Sequence, residues 1–427
     1  MTIKADWMKI WKAEDGRAFS PKCQHRADVV FIDGQIKLMK AHSITTWKEL
    51  CYWNFASMIK CHFQAGATTV VLAFDDYAHV PLAKNMTQSK RTRHVPAVDV
   101  HRNQVLPATI PEDWGVRIMN RTFKTKVIQL VVETVPKLLQ LQPGQRLIID
   151  HQGPPVEYRV DAEPVLLEDL APLGEADVKF TRYTRYGDMI VEATDGDYIP
   201  IALLHLEERR RRGDPVNDIS INRMCVNLKG PKRTAHGDVK YTYEHLHVNR
   251  LYTHLRCAIL LKLGRQHSRL GDAADHEMCV LAALITYTGC DFSKGLPYLS
   301  ARKIWDNLGL VWRPLAEALR PESKTFDVDT VTDKVVARLY GVAYSRHVAR
   351  ERATMAEVAD CLKRRSALGE TVRGRLPEAS NVECVVRNGN WVLLYWLDAL
   401  TCPDGLAGGF GFARNKKGKP VWADELQ

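Results

Sequence analysis

An α/β fold with a central, mostly parallel sheet flanked by helices is what this sequence predicts, and three observations predict it. Two short apolar runs, Val29-Val30-Phe31-Ile32 and Thr68-Thr69-Val70-Val71-Leu72-Ala73-Phe74, read as buried strands that end on Asp33 and on Asp75-Asp76. Helical spacing runs between them, from Trp47 to Phe63. Two further strand-like runs, 145–150 and 188–193, are separated by helix-like segments. Strand, helix, strand in this order is a parallel βαβ unit, whose ligand chemistry lies at the carboxyl ends of the strands.

The remaining elements follow in order. From 84 to 125 the pattern weakens into a basic segment (Lys84, Lys90, Arg91, Arg93) punctuated by Pro96, Pro107 and Pro111, read as a partly helical excursion from the sheet. Residues 126–140 and 175–186 are helix-like, and a longer helix spans about 198–212. Alternation over 217–228 and 238–243, with glycines between, predicts paired strands. From 245 to 400 the chain reads as mainly helical, and the last twenty residues read as a flexible basic tail. The division is a core over 1–330 and a smaller, mainly helical region over 331–427.

Composition narrows the function. Of 427 residues, 45% are apolar and 26% charged, an ordinary soluble balance. The formal charge of +10 and pI of about 9.0 favour a polyanionic partner. None of the ten cysteines forms a CxxC pair, which argues against a zinc ribbon or a thioredoxin-like site and fits a reducing compartment. The amino terminus lacks the apolar core of a secretory signal, and no run approaches the roughly 18 apolar residues of a membrane span. An intracellular protein, nuclear or cytoplasmic, is expected.

Acids recur where strands end or helices begin: Asp33, Asp75-Asp76, Glu175 and Asp177, Asp195 and Asp197, and Asp291. One aspartate after a strand is commonly a turn residue or helix cap. The ordered set points elsewhere. Hard divalent cations take oxygen ligands, and phosphodiester cleavage gains most from two ions roughly 3.5–4 Å apart.

Here the residues carry a resemblance. GEAD (174–177), EATDGDYIPIAL (192–203) and TGCDFSKGLPYLSARK (288–303) resemble the internal segment of flap endonucleases and XPG-like nucleases, the PIN-like 5′-nuclease superfamily. MTIKADWMKIWK is similar to that family's first helix, FID (31–33) and AFDD (73–76) to its first two ligand-bearing strands, and YEHLHVNRL (243–251) to the element before its last acidic loop. The resemblance runs in order from residue 1 to about 305. It implies a structure-specific, metal-dependent nuclease acting on 5′ flaps or branched DNA, leaving 5′-phosphates, in replication, repair or recombination. Two magnesium ions, replaceable by manganese, would be held by Asp33, Asp75, Glu175, Asp177, Asp195, Asp197 and Asp291, with Asp75 preferred to Asp76.

The resemblance also implies roles for basic residues. Lys84 and Arg91, seven apart and so on one face of a helix, would contact the scissile phosphate, with 84–125 arching over the site. Residues 292–310 would form a helix–turn–helix element on duplex DNA. Lys90, Arg93, Gly295, Ser300, Arg302 and Lys303 are the further expected DNA contacts. Tyr298 and Ser300 stand where the family has glycine, Thr2 replaces a glycine, and Met39 lies where flap endonucleases carry a base-stacking tyrosine. These departures bear on substrate choice and leave open a 5′ exonuclease, a junction resolvase or a non-catalytic scaffold.

Other features read structurally. Arg209–Arg212 suit a helix carboxyl end, Trp391–Trp396 suit a core, His245 and His247 lack a third metal ligand, and Asp150 reads as a turn acid.

Overall fold

The computed structural model describes residues 3–20, 26–38, 44–79, 81, 106–226, 241–263, 276–290, 295–296, 299–320, 323–344, 379–403, 405, 409–416 and 420–423. Nine strands form one sheet: β1 (Phe19–Ser20), β2 (Val29–Asp33), β3 (Thr69–Ala73), β4 (Arg146–Asp150), β5 (Val156–Arg159), β6 (Val165–Leu166), β7 (Met189–Ala193), β8 (Ile219–Val226) and β9 (Tyr241–His247). Their spatial order is β1-β9-β8-β7-β2-β3-β4-β5-β6. The five central strands are parallel, with Val29 opposite Thr69 on one side and opposite Met189 on the other. Both edges turn antiparallel, β9 and β1 on one side and β5 and β6 on the other. The sheet is thus mixed: its parallel centre follows from the βαβ pattern, while β5 and β6 are too short and polar to stand out as strands.

Strand alternation decides which residues meet which helices. Val29, Phe31, Val71, Ala73, Ile148 and Val191 point to one face, where helix Tyr198–Arg212 packs. Val30, Ile32, Val70, Leu72, Leu147 and Ile149 point to the other, under helices Ser57–Gln64 and Arg121–Thr134. Both faces are covered, so the inner strands are continuously apolar rather than alternating. Each fully buried side chain such as Phe31 contributes about 2 kcal/mol of transfer free energy.

The first helical crossover begins on a capping box: the Thr46 hydroxyl accepts from the Glu49 N–H, and Glu49 reaches back to the Thr46 N–H at 3.0 Å. Helices Trp47–Cys51 and Ser57–Gln64 are joined by a π-helical turn, Tyr52–Ala56. Beyond the excursion, Trp114 donates to the Leu38 carbonyl and Trp47 to that of Pro107, which ties the described part of this segment to the core. The amino-terminal helix Ile3–Glu14 docks on the far side. There Trp7 bonds the Thr288 hydroxyl at 2.9 Å and packs edge-on against Trp305.

The carboxyl-terminal region does not stand apart. Helix Ala379–Leu397 packs against helices Glu277–Tyr287 and Tyr198–Arg212, and its apolar residues join the same core as the sheet. The expected flexible tail contains a small antiparallel pair, Phe412–Arg414 with Pro420–Trp422. Phe412 is anchored edge-on against Trp391, enough apolar burial to order a polar, glycine-rich stretch. Among the described residues, no helix is long and apolar enough to cross a membrane.

Candidate functional site

The topology singles out one crevice. After β2 the chain moves through β3 to β4 on one side, and after β7 it moves to β8 on the other. Connections from β2 and β7 therefore leave on opposite faces, opening a cleft at the carboxyl ends of these neighbours, where open α/β sheets bind ligands.

The acids sit there. Asp33 ends β2, Asp75 lies two residues past β3, and Asp195 lies two past β7. Glu175 precedes the short helix Ala176–Lys179, Asp177 lies in its first turn, and Asp197 precedes helix Tyr198–Arg212. Asp33, Glu175, Asp177 and Asp197 are buried. Burial, and then the negative charges of Asp75 and Asp177, push Asp33 up to about 8, against the opposing pull of a hydrogen bond from the Gln35 N–H. Asp75 accepts the Ala176 N–H at 3.1 Å, which links the β3 end to the Glu175–Asp177 turn. Asp195 accepts the Asp197 N–H at 3.1 Å.

Two tyrosines that the sequence reading did not single out stand among these carboxylates. Tyr198 is fully buried beside Asp33; burial and then the charges of Asp33, Asp177, Asp75 and Asp195 hold its hydroxyl protonated, well above the usual phenol range. Tyr395, from helix Ala379–Leu397, is held up likewise by burial and then by Glu175, Asp177 and Asp75. The only signal for Tyr198 is its place directly after Asp197, and nothing local marks Tyr395.

Adjacent Asp75 and Asp76 have different surroundings. Asp76 is buried and accepts from the Ala78 N–H at 3.0 Å, with His79 Nδ1 at 2.7 Å from its other oxygen. Its oxygens are thus engaged in the turn, whereas Asp75 shares the field at Asp33.

Beneath the cluster lies a fully buried lysine. Lys179 donates to the Phe74 carbonyl at 2.7 Å and the His151 carbonyl at 3.2 Å, and pairs with Asp150 at 3.0 Å. Asp150 also takes Arg182 and the Tyr183 hydroxyl, so it is a buried ion-pair centre rather than a turn acid. Burial pulls its pKa up, but Lys179 and Arg182 more than offset this and leave it below the usual carboxylate value. Burial and then the Lys179 charge bring His151 down to about 4, so it is neutral at pH 7. Lys179 pins the ends of β3 and β4 and so fixes the take-off of Asp75. Its spacing on a four-residue helix resembles that of a solvated lysine, which concealed it.

Asp291, Lys84, Lys90, Arg91 and Arg93 lie outside the described residues, as do Thr2, Met39 and Tyr298. The lead-in to Asp291 is anchored at Thr288 by Trp7. Gly295 adopts φ +71°, and a Cβ there would lie 2.5 Å from the Gly289 nitrogen. Only glycine allows that backbone approach. Ser300 caps helix Ala301–Asp306 by accepting the Lys303 N–H, and Arg302 pairs with Asp306 on the exposed side. Two helices, Glu277–Tyr287 and Ala301–Asp306, thus flank the turn holding Gly295.

Carboxylate oxygens are ligands for hard cations, but among the described residues these acids form no group of three whose ligand atoms all lie within 4.8 Å of one another. A mixed group, Glu207, His276 and Cys279, brings ligand-type atoms within 4.8 Å of one another. Glu207 is occupied in capping helix Glu277–Tyr287, taking the Met278 N–H at 2.7 Å and the Cys279 N–H at 3.1 Å. Burial pushes it up to about 8 against those hydrogen bonds. Arg209 is half-buried against Thr184, whereas Arg210, Arg211 and Arg212 are exposed, the first bonding the Tyr252 hydroxyl and the other two pairing with Glu208 of their own helix. His245 is buried against Asn222.

No protein-family model matches the sequence, and a search of curated proteins finds no significant match.

Proposed function

We propose that this chain is a metal-dependent nuclease of the flap endonuclease and XPG-like superfamily, hydrolysing phosphodiester bonds in branched or 5′-ended DNA. The observation that carries the proposal is the convergence of Asp33, Asp75, Glu175, Asp177 and Asp195, from separate chain segments, on the switch-point cleft. Burial, with the charges of Asp75 and Asp177 added to it, pushes Asp33 up to about 8, and a divalent cation would offset both. The all-oxygen donors fit magnesium, and manganese as its substitute. When bound, two such ions supply Lewis acidity at the scissile phosphate.

The chain's own residues do the rest. Asp33, Asp75, Glu175 and Asp177 would hold one cation, and Asp195, Asp197 and Asp291 the other. Tyr198 keeps its proton, so it adds no charge beside Asp33. Lys179 fixes the strand ends from below. Lys84 and Arg91 would neutralise charge developing on the phosphate, and the turn at Gly295 with the capped helix Ala301–Asp306 would hold duplex DNA through backbone N–H groups and Lys303.

Cleavage of a labelled 5′-flap duplex in magnesium, by wild type and by Asp195→Asn/Asp197→Asn, tests this. Magnesium-dependent cutting abolished by the double substitution is expected. Tight binding without cutting of flap, nicked, gapped and four-way substrates would replace the nuclease with a DNA-binding scaffold.

A further inference from the structure

We infer that Glu207, His276 and Cys279 form a structural zinc site that fastens two helices together. It lies apart from the acid cluster and stands whether or not the chain is a nuclease. The three residues are buried, at 3%, 2% and 3% exposure, and their ligand-type atoms lie within 4.8 Å of one another. Zinc–ligand bonds of about 2.0–2.3 Å set tetrahedral ligand atoms roughly 3.3–3.8 Å apart, so side-chain rotation closes what remains.

Local structure explains why the three meet. His276 is the N-cap of helix Glu277–Tyr287, and Cys279 stands three residues on, where a side chain reaches back toward the cap. The cap itself comes from Glu207, in the last turns of helix Tyr198–Arg212, which accepts the Met278 and Cys279 N–H groups. A carboxylate offers about four acceptor positions and these bonds use two, so Glu207 can cap the helix and bind an ion at once. The sequence holds no CxxC pair, but His276-x-x-Cys279 has the same gap with one ligand exchanged.

Donor type and charge choose the ion. Thiolate, imidazole and carboxylate are all zinc ligands, and sulfur disfavours magnesium. The thiolate and carboxylate together cancel a dication, as burial requires. Water completes the tetrahedron where the protein supplies three ligands. Glu207 lies ten residues beyond Asp197, about 15 Å along the helix axis. The ion therefore fastens the start of helix Glu277–Tyr287, whose far end Trp7 holds at Thr288, to the helix that Asp197 precedes.

The test is cobalt substitution in the full chain. Protein stripped by a chelator receives one equivalent of cobalt(II) in excess magnesium, which fills oxygen-only sites. Wild type should develop a near-ultraviolet thiolate-to-cobalt charge-transfer band, and one equivalent of zinc should bleach it. Cys279→Ser should lack the band. His276→Gln should bind zinc more than about 100-fold more weakly, beyond the loss usual for a residue that only supports a ligand. Zinc should raise the wild-type urea midpoint and leave that of Cys279→Ser unchanged. Folding of each variant is checked by circular dichroism, and if Cys279→Ser does not fold, His276→Gln decides. Folded wild type without the band, a band that survives in Cys279→Ser, or wild-type zinc affinity in His276→Gln would overturn the site.

Discussion

Replacing Asp33 by asparagine should make the metal-free protein more stable while removing its activity. Burial and the neighbouring Asp75 and Asp177 charges raise Asp33 from 3.8 to about 8. Between those two values the fold keeps a proton that the unfolded chain has released, so stability falls as pH rises through this window. At about 1.36 kcal/mol per pH unit, the loss at pH 7 is about 4 kcal/mol, and at pH 5 about 2 kcal/mol. Asparagine cannot ionise, yet keeps an acceptor for the Gln35 N–H that Asp33 holds at 3.0 Å. Urea unfolding in EDTA should therefore show Asp33→Asn more stable than wild type, by about two and a half times as much at pH 7 as at pH 5. Magnesium should raise the wild-type midpoint and leave that of the variant nearly unchanged. A variant less stable than wild type at both pH values, or a gain that does not shrink on acidification, would refute the reasoning.

Other expectations concern the scaffold. Lys179→Met removes one of the two cations paired with the buried Asp150, which keeps Arg182, and should cost about 1–3 kcal/mol in urea unfolding, with part of the loss recovered in Lys179→Met/Asp150→Asn. Because the fold holds Asp150 below its usual value, its contribution is fully present above pH 3.8 and is lost as pH falls through the lower folded value. The stability difference between wild type and Asp150→Asn should accordingly shrink in acid titrations below pH 3.8. Gly295→Ala forces a left-handed alanine against the Gly289 backbone; thermal unfolding should show a loss of about 1–3 kcal/mol. Flap binding should weaken with it if the turn meets DNA.

The central strands were legible because doubly covered parallel strands leave uninterrupted apolar runs, as in Val29–Ile32 and Thr69–Ala73. Asp33, Asp75, Glu175, Asp177, Asp195 and Asp197 stood out in the sequence because each follows a strand or opens a helix. What the sequence concealed was whatever depends on a distant partner. Lys179 looks solvated until β3 and β4 surround it, and Asp150 looks like a turn acid until Lys179 and Arg182 reach it. Asp75 and Asp76 are chemically identical neighbours, and only His79 and the Ala78 and Ala176 peptides distinguish their surroundings. Tyr395 is separated from Glu175 by more than half the chain. The edge strands β5 and β6, and the ribbon at Phe412, are too short for periodicity to register.

That distance in sequence has a consequence for synthesis. When the ribosome has made the chain through Asp291, every acid of the set exists, but the helix that brings Tyr395 to them does not. Until Ala379–Leu397 emerges, the apolar side of helix Glu277–Tyr287 is uncovered and the acids face water where a phenol will later stand. Among the described residues, the last large helix to be translated is thus the one that brings Tyr395 to the acids, so a nascent or prematurely terminated chain carries the carboxylates without it.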